Sequence, residues 1–324
     1  MTPAEAGTPL PPPCYDLVAI GETMAVFVAD GEPTFYRAVP GGAESNVAVG
    51  MARLGLRAQW LSRLGDDPLG RMVEASIAAA GVDVRVGRDS VRPTGIYIKH
   101  VTPVGPIIRY YRSESAARLL STGDLMGAGP ARWMHVSGIT AALSPSAARL
   151  VDVVVRRRPL GTRISFDLNY RSALWSGPDI AAGVLQDLAR AADAVFVGDD
   201  EAAHLFGTAD PSTLAEKLLG SDDAELIIRR GGGPATLVGG HGQLSVPALE
   251  VKVVDPTGAG DAFTAGYLAG SLFGWPAPAR LRLGHLMGSR VIGVAEDLSP
   301  AFSEAELGSL SPDSLEEQWG TSSS

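Results

Sequence analysis

Short apolar runs of strand length alternate along the chain with stretches whose apolar residues recur at helical spacing. Residues 15–21 predict a first buried strand, and residues 46–54 and 69–80 predict helices that end at Gly55 and Gly81. Because parallel strands need crossover helices, the alternation predicts an α/β fold whose mostly parallel sheet is covered on both faces. Further apolar runs of strand length cover residues 60–64, 133–137, 163–167, 194–197 and 225–229.

Two stretches interrupt this alternation. Residues 24–37 and residues 95–112 each contain two apolar runs separated by turn residues, a pattern that predicts two β-hairpins. A small antiparallel sheet inserted into a doubly wound domain would act as a lid, covering about residues 24–40 and 94–113. The alternative is a pair of ordinary edge hairpins.

The two ends of the chain differ from its middle. Residues 1–14 contain five prolines and no apolar core of a signal peptide, so they predict a disordered or polyproline leader. The main domain is expected over residues 15–310, and residues 311–324 are expected to form a tail that is frayed from Trp319 onward. No apolar stretch reaches the ~18 residues of a membrane span. These features predict a soluble, cytoplasmic protein.

Composition narrows the class of ligand. The 324 residues carry a formal net charge of −9, which argues against a general nucleic-acid or anionic-membrane binder. The only cysteine, Cys14, excludes an internal disulfide and a zinc site built from several cysteines. Because the protein as a whole is negatively charged, a bound phosphate would have to be held by local backbone groups rather than by a positively charged surface.

A glycine turn near the C-terminus supplies such groups. A strand is expected to end near Val254, followed by a turn over residues 257–260 and a helix opened by Asp261. Backbone N–H groups at a helix start form an anion site together with the helix dipole. Asp261 could cap this helix, or it could take a proton from a hydroxyl that attacks phosphorus. The turn lacks the lysine and hydroxyl residue of a P-loop.

A second glycine pair, Gly41-Gly42, precedes Asn46 near the N-terminus. Asn46 could cap the following helix, and the glycines would let the backbone approach a small polyol. Together, the two segments resemble the two signatures of the ribokinase-like (PfkB) sugar kinases, over roughly residues 15–300. The resemblance implies an α/β/α sandwich with a β-sheet lid, ATP and a divalent cation. It also implies that Asp261 is the general base and that the amides of Gly258, Ala259 and Gly260 hold phosphoryl charge.

The middle of the chain is similar to 2-keto-3-deoxygluconate kinases in four segments, at residues 94–97, 109–112, 137–144 and 167–171. Arg112 and Arg171 are candidate ligands for the sugar-acid carboxylate, because a guanidinium is a planar charged donor. Alternatively, Arg112 is a surface residue of an edge strand, and Tyr110 packs within the lid or at a dimer contact. The resemblance implies a sugar site formed by Gly42, Asn46, Tyr97, Tyr110, Arg112, Ile139, Arg171, Asp261 and Asp297.

The nucleotide site departs from the family pattern. The family's Asn-x-x-Glu pattern matches residues 198–201, where Gly198 replaces the asparagine. Glu201 is retained, and it, Asp199 or Asp200 could bind Mg²⁺ through water. His285 replaces an asparagine near the expected adenine site, and Pro234 removes an amide donor from the preceding loop. The residues expected at ATP are Asn169, Arg171, Arg230, Gly231, Gly233, Gly258, Gly260 and Ser289.

These features predict an ATP-dependent kinase that phosphorylates the 6-hydroxyl of 2-keto-3-deoxygluconate with Asp261 as base, assembled as a homo-oligomer through its lid. Two alternatives remain, a kinase of a neutral sugar such as fructose or ribose, and a regulator that binds sugar or nucleotide without catalysis. A dinucleotide oxidoreductase is disfavoured, because the first strand is not followed by the glycine pattern of a dinucleotide fold.

Overall fold

The computed structural model describes residues 14–29, 35–102, 105–240, 242–293, 298 and 300–321. Its strands are β1 (Tyr15–Ile20), β2 (Met24–Ala29), β3 (Tyr36–Gly41), β4 (Ala58–Gly65), β5 (Asp83–Asp89), β6 (Ile96–Thr102), β7 (Gly105–Tyr111), β8 (Ala131–Ser137), β9 (Arg163–Asp167), β10 (Ala194–Gly198), β11 (Glu225–Arg229), β12 (Ala235–Gly239) and β13 (Gly242–Val246). Its α-helices are α1 (Ala43–Arg53), α2 (Pro68–Ala79), α3 (Gly138–Leu143), α4 (Pro145–Arg156), α5 (Pro178–Ala189), α6 (Asp199–Phe206), α7 (Pro211–Leu218), α8 (Ala259–Leu272), α9 (Ala277–Ile292), α10 (Glu304–Ser309) and α11 (Pro312–Thr321).

The larger sheet has the strand order β13-β12-β11-β10-β9-β8-β1-β4-β5. It is parallel from β5 to β11, and β12 and β13 continue it as antiparallel strands at one edge. One face buries Trp60 and Phe196 in a cluster with Tyr267 of α8, and the other buries Phe166 in a cluster with Leu150 of α4. The prediction of a mostly parallel sheet covered on both faces is confirmed.

The smaller sheet has the order β3-β2-β6-β7. Both predicted hairpins are confirmed, since β2 pairs antiparallel with β3 and β6 with β7. The sheet is nevertheless not antiparallel throughout, because β2 and β6 pair in parallel. In each hairpin the first strand, β2 or β6, lies at the centre of the sheet, and the second, β3 or β7, lies at its edge. The two central strands run in the same direction. Residues 30–34 and 103–104, between the paired strands, lie outside the described residues.

The expectation of a tail frayed from Trp319 is wrong for residues 319–321, which belong to α11. The Trp319 side chain is only 7% exposed, and its indole Nε1 donates to the Pro247 carbonyl at 2.8 Å. Leu315, four residues earlier on the same helix face, is also buried. This apolar pair docks the helix on the domain. The expected leader lies outside the described residues except for the exposed Cys14.

In the described part of the chain, no helix combines the length and the apolar character needed to cross a membrane.

Candidate active site

The glycine turn lies at the end of the larger sheet where the carboxyl ends of its parallel strands meet, and it leads into α8. Gly258 has φ +81°, a left-handed conformation that favours glycine, and α8 begins at Ala259. The expectation that Asp261 opens the helix is therefore wrong by two residues. No side chain caps this helix start. The capping interpretation of Asp261 is therefore wrong, because its carboxylate makes no cap hydrogen bond at this helix start.

The Asp261 carboxylate is held by the second motif. Asn46 Nδ2 donates to Asp261 Oδ2 at 2.8 Å. Burial raises the pKa of Asp261 to about 7, and the nearby negative charge of Asp167 adds to this, while the Asn46 hydrogen bond and the charges of Arg229 and Arg171 oppose it. A carboxylate with a pKa near neutrality can accept a proton from an alcohol at physiological pH.

Asp261 faces a cavity of about 390 Å³ between the smaller sheet and the carboxyl ends of the parallel strands. This sugar-side cavity, as we call it, brings together most residues that the sequence predicts for a site. They are Gly42, Asn46, Tyr97, Tyr110, Arg112, Ile139, Asn169, Arg171, Glu201, Gly258, Gly260 and Asp261.

Two tyrosines and an arginine of the second hairpin form one wall of this cavity. Tyr97 and Tyr110 are cross-strand partners whose ring centroids lie 5.3 Å apart. Arg112 follows β7, and its Cζ lies 5.9 Å from the centroid of the Tyr110 ring. The wall therefore offers aromatic surface, phenol hydroxyls and one guanidinium to a ligand.

Arg112 is 9% exposed, which rules out its interpretation as a surface residue of an edge strand. Its guanidinium forms an ion pair with the buried Glu22. Sequence reasoning missed Glu22. The available signal was its position just after the first parallel strand, at the sheet edge where ligands bind in open α/β folds.

Gly42 lines the sugar-side cavity and also makes room for a neighbouring segment of the chain. A Cβ at this position would lie 2.3 Å from the Glu22 carbonyl oxygen and 2.8 Å from Thr23 Cα. The absence of a side chain at Gly42 thus lets two segments of this chain cross in close contact. The crossing brings Glu22 and α1 together beneath Arg112.

A second cavity of about 430 Å³ adjoins the first on the other side of the α8 start. This nucleotide-side cavity shares Glu201, Arg229 and Gly260 with the sugar-side cavity. Burial lowers the pKa of His285 to about 4, so its ring is neutral, and Nε2 lies 3.0 Å from the Val246 carbonyl. Of the predicted site residues, it is lined by Glu201, Arg230, Gly231, Ala259, Gly260 and Ser289.

Some predicted ATP contacts lie elsewhere. Asn169 and Arg171 line the sugar-side cavity but not the nucleotide-side cavity. Gly233 lines neither, and its N–H donates to the Arg230 carbonyl at 2.7 Å, which closes the loop after β11. Asp297 lies outside the described residues.

Arg229 at the end of β11 is the main polar residue that sequence reasoning missed. Its guanidinium makes a two-pronged ion pair with Asp167, at 2.8 and 2.9 Å, and Nη1 also donates to the Gly260 carbonyl at 2.9 Å. This contact fixes the first turn of α8 against the larger sheet.

Glu201 lies in the first turn of α6, where its carboxylate accepts from the backbone N–H groups of Gly198, at 3.0 Å, and Tyr170. Burial, and then the charge of Asp167, raise the pKa of Glu201. Among the described residues, no three His, Cys, Asp or Glu side chains are grouped to hold a metal.

A family model described as pfkB family carbohydrate kinase matches residues 15–301. The chain belongs to the pfkB family of carbohydrate kinases. The family predicted from the two glycine motifs is thereby confirmed, and the protein is a sugar kinase, a phosphotransferase of an ATP-binding family. The interpretation as a non-catalytic regulator has no support from this membership.

Relatives within the family differ in their named substrates. The chain is 34% identical to a 2-dehydro-3-deoxygluconokinase of Bacillus subtilis, over 91% of this chain and 95% of that protein. It is 33% identical to a fructokinase of Klebsiella pneumoniae, over 78% of this chain and 82% of that one. Aminoimidazole riboside kinase from Salmonella enterica, solved with aminoimidazole riboside and an ATP analog, superposes with a TM-score of 0.75 at 27% identity, over 94% of this chain and 99% of that one.

Proposed function

We propose that this kinase transfers a phosphoryl group from ATP to the 6-hydroxyl of 2-keto-3-deoxygluconate, also called 2-dehydro-3-deoxygluconate. The observation that carries the proposal is one cavity that holds both Asp261, with its pKa of about 7, and three guanidiniums, those of Arg112, Arg171 and Arg229. Among the described residues, Arg171 has no carboxylate within ion-pair distance, so its charge is available to a substrate carboxylate. The 2-dehydro-3-deoxygluconokinase relative supports the same substrate class.

In the proposed reaction, Asp261 takes the proton of the sugar hydroxyl. The hydroxyl oxygen then forms a bond to the γ-phosphorus of ATP while the bond to the β–γ bridging oxygen breaks, releasing ADP. The helix start leaves the N–H groups of Gly260 and Asp261 without acceptors inside α8. They face the position where negative charge accumulates and stabilise it with the helix dipole.

The nucleotide is proposed to lie in the nucleotide-side cavity, with its phosphates reaching the α8 start at Gly260, which the two cavities share. The neutral His285 ring packs edge-on against Phe263, with 5.1 Å between ring centroids. This pair forms an apolar wall suited to a base. Ser289 and Gly231 line the same cavity.

Magnesium would neutralise the phosphate charge and bridge phosphate oxygens. The residues present fit an ion held by phosphates and water. The Glu201 carboxylate borders both cavities, and each of its oxygens accepts one backbone N–H, which leaves a lone pair on each to accept from a metal-bound water. Glu201 would then orient the hydrated ion without binding it directly.

The smaller sheet is proposed to act as the lid over the sugar and to contribute to a homo-oligomer. Ile107 and Tyr111 of β7 are more than half exposed, so this strand presents apolar surface. Light scattering of the protein at several concentrations would test the assembly. A monomer at all concentrations would remove the oligomer from the proposal.

A neutral-sugar kinase of the fructokinase type is the second candidate. The Glu22–Arg112 ion pair favours it, because Glu22 already balances the charge of Arg112 and a second carboxylate would compete for it. The fructokinase relative is nearly as similar in identity. The two candidates differ in whether a substrate carboxylate improves turnover.

The deciding experiment is an assay of ADP release with 2-keto-3-deoxygluconate, its galactonate epimer, fructose and ribose, with Asp261→Asn as the inactive control. We expect kcat/KM to be highest for a keto-deoxy sugar acid and phosphorylation to be at C6 by NMR. A preference for fructose or ribose would contradict the sugar-acid proposal in favour of the second candidate. Turnover by Asp261→Asn at the wild-type rate would contradict the assignment of the base.

A further inference from the structure

A lysine of the smaller sheet is fully buried beside the glycine turn. Lys99 lies in β6, an inner strand of that sheet, and its side chain is 0% exposed. Its Nζ lies 2.6 Å from Asp255 Oδ2, and the Asp255 side chain is 2% exposed. A buried ion pair is weak evidence for added stability, because desolvation of both charges offsets their attraction. The pair therefore suggests a role in holding two parts of the site in register.

The second oxygen of the same carboxylate shapes the glycine turn. Asp255 Oδ1 accepts from the Thr257 N–H at 2.9 Å and from Thr257 Oγ1 at 2.7 Å. Thr257 and Gly258 are the residues that lead into the α8 start. One carboxylate thus contacts the smaller sheet through one oxygen and the anion-binding turn through the other.

Lys99 is connected to the sugar-side cavity through its own strand, β6. Tyr97 precedes it by two residues in β6, on the same strand face, and lines that cavity. Lys99 is flanked by Val28 of β2 and Ile108 of β7 in the sheet register, so its backbone moves only with the sheet. A ligand that presses on Tyr97 would therefore displace Lys99 together with the sheet.

We propose that Lys99 is a positioning residue that makes the geometry of the anion-binding turn depend on the position of the smaller sheet. The link runs from Tyr97 along β6 to Lys99, then through Asp255 to Thr257 and the α8 start. This inference rests on the proposed function, because it assigns the sugar to the Tyr97 side and the transferred phosphoryl group to the turn. Through this link, a sugar bound in the sugar-side cavity would set the geometry of the turn that receives the phosphoryl group.

The first test needs no substrate turnover. Hydrogen exchange measured by mass spectrometry should show peptides over residues 253–262 exchanging about tenfold or more faster in Lys99→Met than in the wild type. Peptides over the strand β8, at the centre of the larger sheet, should be unchanged. The control is Lys252→Met, which removes an exposed lysine next to the same turn. Equal exchange of residues 253–262 in all three proteins would overturn the proposal.

The second test separates positioning from stability. Lys99→Met should lower kcat about 10- to 100-fold, the effect of a displaced catalytic group, with KM for the sugar changed less than threefold. The double variant Lys99→Met/Asp255→Asn removes the unpaired buried charge and should recover the melting temperature. If the double variant also recovers wild-type kcat, the pair is only structural and the proposal is wrong.

The two proposals fail in different ways. A wild-type protein that phosphorylates none of the four sugars would contradict the proposed function but would leave the exchange comparison valid. A wild type that is active, beside a Lys99→Met variant with unchanged kcat and unchanged exchange, would reject the positioning role alone.

Discussion

Asn46 Nδ2 donates to Asp261 Oδ2 at 2.8 Å, although 215 residues separate the two in the chain. This bond joins the N-terminal and C-terminal glycine motifs into one site. It also orients the carboxylate while leaving Asp261 Oδ1 for a substrate proton. Asn46 Oδ1 is buried with no hydrogen-bond partner among the described residues, so it can accept from a second hydroxyl of the sugar.

The pH dependence of the reaction should report Asp261. Its pKa is raised to about 7 by burial, and a base acts only when deprotonated, so kcat/KM should rise through about pH 7 and level off above it. Asp261→Asn should lower kcat by about 10²- to 10⁴-fold, the usual contribution of a positioned base. Initial rates from pH 5.5 to 9 measure both effects.

Asp179→Asn is the control for this prediction, because Asp179 is exposed in the first turn of α5 and lines neither cavity. It should keep the wild-type profile. A wild-type profile that is flat from pH 5.5 to 9 would show that no group with a pKa near 7 controls the reaction.

Local patterns in the sequence were sufficient to predict both hairpins and six of the nine strands of the larger sheet, because alternation of strand and helix depends on neighbouring residues. The three strands at its two edges, β5, β12 and β13, were not predicted. The parallel pairing of β2 with β6 was not predictable in this way, since it joins segments about 70 residues apart. The helix that carries Trp319 was missed because the glycine and four hydroxyl residues after it suggested a frayed end.

The candidate site shows the same division. Glycine motifs pointed to Asp261, Asn46 and the anion-binding turn, because backbone geometry requires glycine there. The charged residues Glu22, Lys99 and Arg229 were missed. A charged residue in a sequence is expected to be exposed to solvent unless its partner is known. Their partners lie far away along the chain, as Asp167 does from Arg229, 62 residues apart.

Selectivity for an acidic substrate should depend on Arg112. Removing it alone would leave Glu22 buried without its counter-charge, so the comparison is between Glu22→Gln and Glu22→Gln/Arg112→Met. Relative to Glu22→Gln, the double variant should have a KM for the sugar acid that is at least about tenfold higher, which corresponds to the loss of one hydrogen bond to a charged group. KM for fructose should change less than threefold. Equal changes for both sugars would argue against a contact between Arg112 and a carboxylate.

The Arg229–Asp167 pair should matter for folding as well as for the site. Arg229→Met leaves a buried carboxylate unpaired and should lower the free energy of unfolding by about 3–5 kcal/mol in urea titrations. Arg229→Met/Asp167→Asn should recover part of this loss. The neighbouring Arg230→Met is the control, because the Arg230 guanidinium has a single hydrogen bond among the described residues, to the Ala209 carbonyl at 3.5 Å, and no ion pair. If Arg230→Met is as destabilising as Arg229→Met, the ion pair is not the cause.

Substitution of Gly42 tests whether the close approach of this residue to Glu22 and Thr23 requires the absence of a side chain. In Gly42→Ala, the new Cβ would collide with the Glu22 carbonyl and Thr23, so unfolding stability should fall by about 1–3 kcal/mol, with a loss of kcat/KM. Gly183→Ala is the matched control, since a Cβ there meets no atom within 4 Å and the residue lies inside α5. It should raise stability by about 0.5–1 kcal/mol through helix propensity. Thermal melts of the two variants should therefore shift in opposite directions, and a Gly42→Ala protein as stable and active as the wild type would show that the crossing adjusts to a side chain.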